Sequence, residues 1–437
     1  MTQEEALSAM KMGYNVFLTG PPGSGKTFLL NRYILYLKKK DIAVSITAST
    51  GIAATHMGGT TLHSWSGLGI REEVGDDEVK YIADKGYLRK RIKNTNVLII
   101  DEISMIKASQ FEAVNKICQY VRRNPRPFGG IQVICSGDFF QLPPVEREGR
   151  EVKFVVESNI WKKMDMKICY LLEQYRTKDK KLHKLLDHIR DNEIDKSKAI
   201  LFAAQKKAKP LQDVPTKLYT HNVDVDSINN SELAKISGKE YTYQMTGRGH
   251  EVVVAALKKS CLAPEMLVLK KDAQVMFIKN NFEAGYVNGT QGKIVGFVGD
   301  GLPIVKTRDG KRITVKTADW TIEEENSVVA GISQIPLRLA WAITVHKSQG
   351  MNLDSAEIDL SRCFLEGMGY VALSRIRSLE GLKLVGINNL AFCVNPRALE
   401  LDKDFRKSSK KSLIELNKMS AAAIGKRQKL WVKYLSN

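Results

Sequence analysis

The chain has 437 residues, 43% of them hydrophobic, and its 67 Lys and Arg outnumber 48 Asp and Glu for a formal net charge of +19. That length predicts two to four domains with sizeable cores, and the charge, which solubility alone could also explain, favours a polyanionic partner, nucleic acid ahead of a membrane surface. No apolar run approaches a membrane span, the polar first twelve residues do not read as a signal peptide, and six cysteines without a C-x-x-C pair argue against zinc or iron–sulfur and for a reducing, cytoplasmic setting.

Residues 15–20 (NVFLTG) form an apolar run that ends at a glycine loop, and 43–49 (AVSITAS), 96–101 (NVLIID), 131–137 (IQVICSG) and 166–172 (MKICYLL) repeat the pattern. Helical stretches at 27–38 and 109–121 lie between them. Strands alternating with helices predict an α/β fold with a parallel, doubly wound sheet. The pattern returns at 217–220, 355–360 and 382–387, which predicts a second α/β domain. From about 238 to 336 the character changes. Residues 291–298, 304–307 and 311–315 alternate apolar and polar, with Asp300-Gly301 and Asp309-Gly310 as tight turns, so a small antiparallel β-domain is expected there. Residues 403–437 carry ten Lys or Arg against Asp404 and Glu415 and read as a partly helical basic tail, either solvated or DNA-contacting.

Three motifs carry chemistry. Gly20-Pro21-Pro22-Gly23-Ser24-Gly25-Lys26-Thr27 fits G-x-x-x-x-G-K-[ST], follows a strand and opens a helix. Backbone N–H groups of such a loop wrap phosphates, Lys26 reaches the β- and γ-phosphates, and the Thr27 hydroxyl ligates Mg²⁺. Asp101-Glu102 ends an apolar strand, which suits Asp101 to the metal and Glu102 to general base for the attacking water. Gly137–Pro144 (GDFFQLPP) ends the next strand, where Gln141 can touch the γ-phosphate. Alone, each acid or loop could be ordinary solvated structure; together they define a P-loop NTPase.

Longer segments narrow the class. Residues 47–64 read TASTGIAATHMGGTTLHS, 128–145 FGGIQVICSGDFFQLPPV, 172–177 LEQYRT, 343–354 ITVHKSQGMNLD and 371–382 VALSRIRSLEGL. In this order they closely resemble the petite-integration-frequency (PIF-type) DNA helicases of superfamily one. The resemblance implies two RecA-like motor domains, the first at 1–173 with a small insertion near 61–90, the second at 174–237 and 337–400. It implies an SH3-like β-barrel inserted at 238–336, followed by a basic helical extension at 401–437.

The resemblance also implies roles. Gln3 would read adenine. Gly20, Pro22, Gly23, Ser24, Gly25, Lys26, Thr27, Phe28 and Gly350 would line the nucleotide. Arg176 and Arg375 would face the γ-phosphate from the second motor domain. Thr50, Gly51 and His63 from the first domain and Thr344, His346, Lys347, Ser348 and Gln349 from the second would contact DNA, with Asn222, Asn288 and Gly289 as further contacts. Trp65 would stack a base or, equally, be a buried aromatic. The implied activity is 5′-to-3′ translocation on single-stranded DNA with Mg²⁺ and ATP. It extends to unwinding of 5′-tailed duplex, G-quadruplex or RNA–DNA hybrid by a monomer, in repair, recombination or genome maintenance. An RNA-directed motor and a nucleotide-gated single-strand binding protein remain alternatives at this point.

Overall fold

The computed structural model describes the 437 residues apart from 70, 72, 145–152, 176–178, 207–214, 221–224, 282, 300, 325, 326 and 437. Two compact units form. One comprises residues 1–176, 321–329 and 400–437; the other comprises 177–320 and 330–399.

The first unit opens with α1 (Gln3–Lys11), started by a capping box in which the Glu5 amide donates to Thr2 Oγ1 and the Thr2 amide to Glu5 Oε2. There follow β1 (Val16–Thr19), α2 (Lys26–Lys38), β2 (Val44–Ala48), α3 (Gly51–His56), β3 (Thr60–Thr61) and α4 (Leu62–Ser66). Then come α5 (Asp76–Ala83), α6 (Gly86–Asn94), β4 (Val97–Asp101), α7 (Ala108–Arg122), β5 (Gln132–Gly137), α8 (Asn159–Lys163) and β6 (Lys167–Tyr170). The sheet runs β3-β2-β4-β5-β1-β6 and is parallel throughout. Every residue of β1, β4 and β5 is buried, which is why these strands read as unbroken apolar runs rather than as alternation. The two-residue edge strand β3 is too short to leave a pattern. The insertion expected near 61–90 is the helical stretch α4 to α6, packed against α7.

Register decides where the chemistry lies. Thr19 pairs with both Gly137 and Tyr170, and Ile100 with Cys135. The strand ends leading into the glycine loop, the acidic pair and the GDFFQ turn therefore emerge at one edge of the sheet, where parallel α/β folds bind ligands.

The basic tail is helical, and its Lys and Arg side chains are exposed as the solvated reading expects, while apolar positions between them pack inward. Residues 400–437 complete the first unit, within two helices at Pro396–Asn417 and Ala421–Ser436. Phe405 packs edge-on to Phe17, with ring centroids 5.1 Å apart, and lies 5.6 Å from Phe139. β6 is an edge strand, and its Tyr170 amide, which points away from β1, is satisfied by Ser409 Oγ at 3.0 Å. Tyr170 Oη donates to Asp402 Oδ1 at 2.7 Å. The helices thus cap an open sheet edge with an apolar stripe that the tail's charge count conceals.

The second unit holds a four-stranded parallel sheet ordered Ala342–Thr344, Thr216–Tyr219, Ala356–Leu360, Leu382–Ile387. The insertion centres on a five-stranded antiparallel sheet ordered Arg312–Thr314, Pro303–Thr307, Gln291–Phe297, Gln274–Phe277, Leu337–Leu339, whose last strand lies just past the expected boundary, and two smaller sheets and the helix Glu251–Ser260 accompany it. Its core gathers Val275, Phe277, Ile294, Val305, Ile313 and Leu337. The Asp309-Gly310 turn forms as expected, with the Thr307 amide donating to the Lys311 carbonyl at 2.9 Å; Asp300 lies outside the described residues. Among the described residues, no helix is long and apolar enough to cross a membrane.

Candidate nucleotide site and nucleic-acid contact segments

The loop between β1 and α2 is shaped by glycines. Gly20, Gly23 and Gly25 all take positive φ, and a Cβ on Gly20 would stand 2.4 Å from the Leu171 carbonyl oxygen. A Cβ on Gly25 would stand 2.2 Å from Gln3 Nε2, which donates to the Ser24 carbonyl at 3.3 Å. Gln3 therefore touches the phosphate loop directly. Lys26 Nζ donates to the Gly20 and Pro21 carbonyls at 2.7 and 3.1 Å, so its ammonium is held over the loop. Thr27 and Phe28 are exposed, and Pro22 is buried in the loop.

Asp101 is only 7% exposed, and burial pushes its carboxyl above the usual carboxylate range. The Glu102 amide, donating to Asp101 Oδ1 at 3.0 Å, and the Lys26 charge oppose that shift. Glu102, half-buried, sits at φ +51°, ψ +44°, a left-handed conformation that non-glycine residues rarely adopt. Gln141 is buried, and its Oε1 has no protein partner; the same holds for the fully buried Ser24 Oγ. A buried acceptor or hydroxyl without a partner costs free energy unless something fills it, and these two lie in the loops that emerge beside each other. The donor set suits Mg²⁺ as well. That ion takes one or two protein oxygens and completes its shell with water and phosphate, so Thr27 and Asp101 are sufficient. Among the described residues no group of three His, Cys, Asp or Glu is arranged to hold a metal.

Tyr175 precedes Arg176 in the LEQYRT segment. Its amide donates to the Gly23 carbonyl at 2.8 Å, so the QYRT segment is stitched to the phosphate loop one residue before Arg176. Arg176 and Asn222 lie outside the described residues. Arg375, just past the helix Met368–Leu373, is 1% exposed; its Nε donates to the Val371 carbonyl and its Nη2 to Ser374 Oγ. Gly350 is exposed, at φ +77°.

The contact segments divide. Thr50 and Gly51 are half-buried at the start of α3, where Thr50 Oγ1 accepts from the Ala53 amide. His63 is half-buried, and desolvation holds its ring below the ordinary histidine pKa, with a hydrogen bond to Gln110 opposing. His346 is exposed; the ammonium of half-buried Lys347 lies 4.0 Å from Asp226. Thr344 Oγ1 accepts from the Lys347 amide, and Gln349 is buried with its Nε2 lacking a partner.

For Trp65 the buried reading holds, and the assignments of Ser348, Asn288 and Gly289 change. Trp65 is 3% exposed, because Leu62 and Trp65 share the inward face of α4, so it is a core residue and not a base platform. Ser348 is fully buried, and its hydroxyl donates to the Val345 carbonyl at 2.7 Å. It shapes the turn. Asn288 and Gly289 are also buried: a Cβ on Gly289 (φ +90°) would meet the Asn352 carbonyl oxygen at 2.5 Å. The VNGTQG turn is thus a joint between the inserted sheet and the 350–354 segment. Gln291 of the same segment completes the joint with bonds to Thr216 Oγ1 and both Ser355 backbone groups.

A phosphate loop that opens a helix, with acids ending a parallel strand one position beyond the neighbouring one in the same sheet, defines a P-loop nucleotide hydrolase. Models of two families match the chain: the PIF1-like helicase over residues 3–200, and the DNA helicase Pif1, 2B domain, over residues 254–297. The ATP-dependent DNA helicase Pif1 of Psychrobacter sp. (strain PRwf-1) is 43% identical over 93% of this chain and 71% of its own length. The chain belongs to the PIF1-like helicase family. It is 36% identical to the Homo sapiens ATP-dependent DNA helicase PIF1 over 94% of its length and spans 65% of that relative. The crystal structure of Pif1 helicase from Bacteroides in complex with ADP-AlF3 and ssDNA matches at TM-score 0.62 and 28% identity, over 93% of this chain and 96% of that one.

Proposed function

We propose that this chain is an ATP-dependent DNA helicase that moves 5′-to-3′ along single-stranded DNA and unwinds duplexes bearing a 5′ single-stranded tail, as a monomer in a reducing, cytoplasmic setting. The observation that carries the reading is the phosphate loop, with Lys26 held over it and buried, partnerless Ser24 Oγ and Gln141 Oε1 in the loops that follow adjacent strands. The Bacteroides relative, solved with ADP-AlF3 and ssDNA, supports the same pair of ligands here.

The residues divide the work. Gln3 reads the adenine edge, and the loop amides with Lys26 hold the phosphates. Thr27 and Asp101 hold Mg²⁺, which when bound neutralises charge on the β- and γ-phosphates. Glu102 takes a proton from the attacking water as the new O–P bond forms and the β–γ bridge breaks, releasing ADP and phosphate. Gln141 touches the γ-phosphate and so reports hydrolysis. Arg176 and Arg375 stabilise transition-state charge, a contribution worth about 10³-fold or more. Thr50, Gly51, His63, Thr344, His346 and Lys347 grip the sugar-phosphate chain, which makes the grip largely independent of sequence.

The test compares matched duplexes with a 5′ tail, a 3′ tail and a 5′ RNA tail, in Mg²⁺ and ATP. Unwinding confined to the 5′ DNA tail is expected. Equal opening of the 3′-tailed duplex would overturn the polarity, and preference for the RNA tail would overturn the DNA assignment.

A further inference from the structure

The C-terminal helices take no part in the chemistry above, yet they hold the supports of the nucleotide site at three places. Phe405, 7% exposed, sits against Phe17 of the strand that feeds the phosphate loop and against Phe139 of the turn that carries Gln141. Asp402 and Ser409 fix Tyr170, and the carbonyl of the next residue, Leu171, backs Gly20. The last helix fixes the far end of α1. Arg427 Nε donates to the Met12 carbonyl at 3.1 Å, with its guanidinium 3.9 Å from the Tyr14 ring centroid, and Gln428 Nε2 donates to Ser8 Oγ at 3.2 Å. Trp431 closes the contact, since a Cβ on Gly13 would lie 2.4 Å from its Cδ2.

The other end of α1 carries Gln3 on the Ser24 carbonyl. A helix rises about 1.5 Å per residue and is stiff over nine residues, so fixing Ser8 and Met12 fixes the direction in which Gln3 points. Gln132 ties the same place to α2: its Oε1 accepts from both Tyr33 Oη (2.8 Å) and Trp431 Nε1 (3.2 Å), while its Nε2 donates to the Met10 and Tyr14 carbonyls. All four partners surround a side chain that is 2% exposed.

We propose that residues 400–437 are a positioning element of the nucleotide site, which sets the affinity and base preference for ATP by holding α1, and through it Gln3, against the phosphate loop. The proposal rests on the adenine role of Gln3. Arg427, Gln428 and Trp431 touch no nucleotide; they act through α1.

The experiment measures ATP and GTP hydrolysis at saturating single-stranded DNA for the full chain, for the double variant Arg427→Ala/Gln428→Ala and for Gln3→Ala, with thermal unfolding of each. The double variant is expected to raise the KM for ATP about fivefold, the scale of one or two net hydrogen bonds, with kcat within about twofold and the preference for ATP over GTP falling with the KM. Arg427→Lys, which keeps a donor and a cation near Tyr14, is expected to restore most of the KM. If Gln3→Ala lowers the preference and the double variant leaves it unchanged, the positioning role is wrong while the adenine role stands. A Gln3→Ala protein with unaltered preference sinks the adenine role and the proposal with it. Equal losses for ATP and GTP that track the unfolding temperature would reduce the helices to plain stabilisers and overturn the proposal.

Discussion

Lys26 and Glu102 sit in one loop system and are expected to fail in different ways. Lys26 anchors phosphate, so Lys26→Ala should abolish hydrolysis and leave the unfolding temperature nearly unchanged, because the side chain sits at the surface loop it serves, bonded to the Gly20 and Pro21 carbonyls, and belongs to no apolar core. Glu102→Gln keeps shape and loses the base. It should bind ATP and single-stranded DNA near normally while turnover collapses, which equilibrium binding measured beside a hydrolysis assay will show. Normal turnover in Glu102→Gln would remove that residue from the mechanism. Trp65 marks the other limit of residue-level reasoning. Beside His63 in the TTLHS segment it resembles a stacking residue, but α4 turns it inward. Trp65→Ala should therefore cost about 3–5 kcal/mol of stability as a core truncation. Single-strand affinity of the protein that remains folded should hold; a selective loss of affinity with stability intact would restore the stacking role.

At the scale of elements, the two ends of the chain show opposite degrees of legibility. The strands β1, β4 and β5 were plain because a parallel strand covered on both faces is apolar along most of its length, and the polar residues Thr19, Asp101, Gln132 and Ser136 fall at or near the strand ends. The end of the chain was not plain. Ten basic residues in 403–437 suggest a tail facing solvent or phosphate, and the apolar positions between them gain meaning only from the surface they cover. That surface is the open edge of β6 and the aromatic group Phe17, Phe139 and Trp161. Phe405→Ala should destabilise the first unit by about 3–5 kcal/mol in denaturant unfolding. A loss below roughly 1 kcal/mol, the range of surface substitutions, would mean that the helix docks without consequence.

At the scale of the whole molecule, the charge of +19 bears on association rather than on fold. A chain that grips phosphates releases counterions, so the logarithm of single-strand affinity should fall linearly with the logarithm of salt concentration, by about 0.7 per neutralised phosphate. Titrations across a salt series read that slope directly; a flat line would rule out a phosphate-dominated grip.

The sequence by itself determined the phosphate loop, the acidic pair, the parallel sheets, the antiparallel insertion and the helicase family. Each depends on local rules: glycines where backbone must approach phosphate, acids at strand ends, apolar runs for strands buried on both faces. Only the tertiary structure decided which residues of the contact motifs face outward. Ser348 and His346 lie two positions apart in one motif, yet Ser348 is fully buried and His346 exposed. Asn288 and Gly289 turned from strand contacts into a joint because Asn352 comes within 2.5 Å of the space a side chain would take. The docking of residues 400–437 was decided there too, since an apolar stripe becomes a core face only when a distant edge strand offers its unpaired amides and rings to cover.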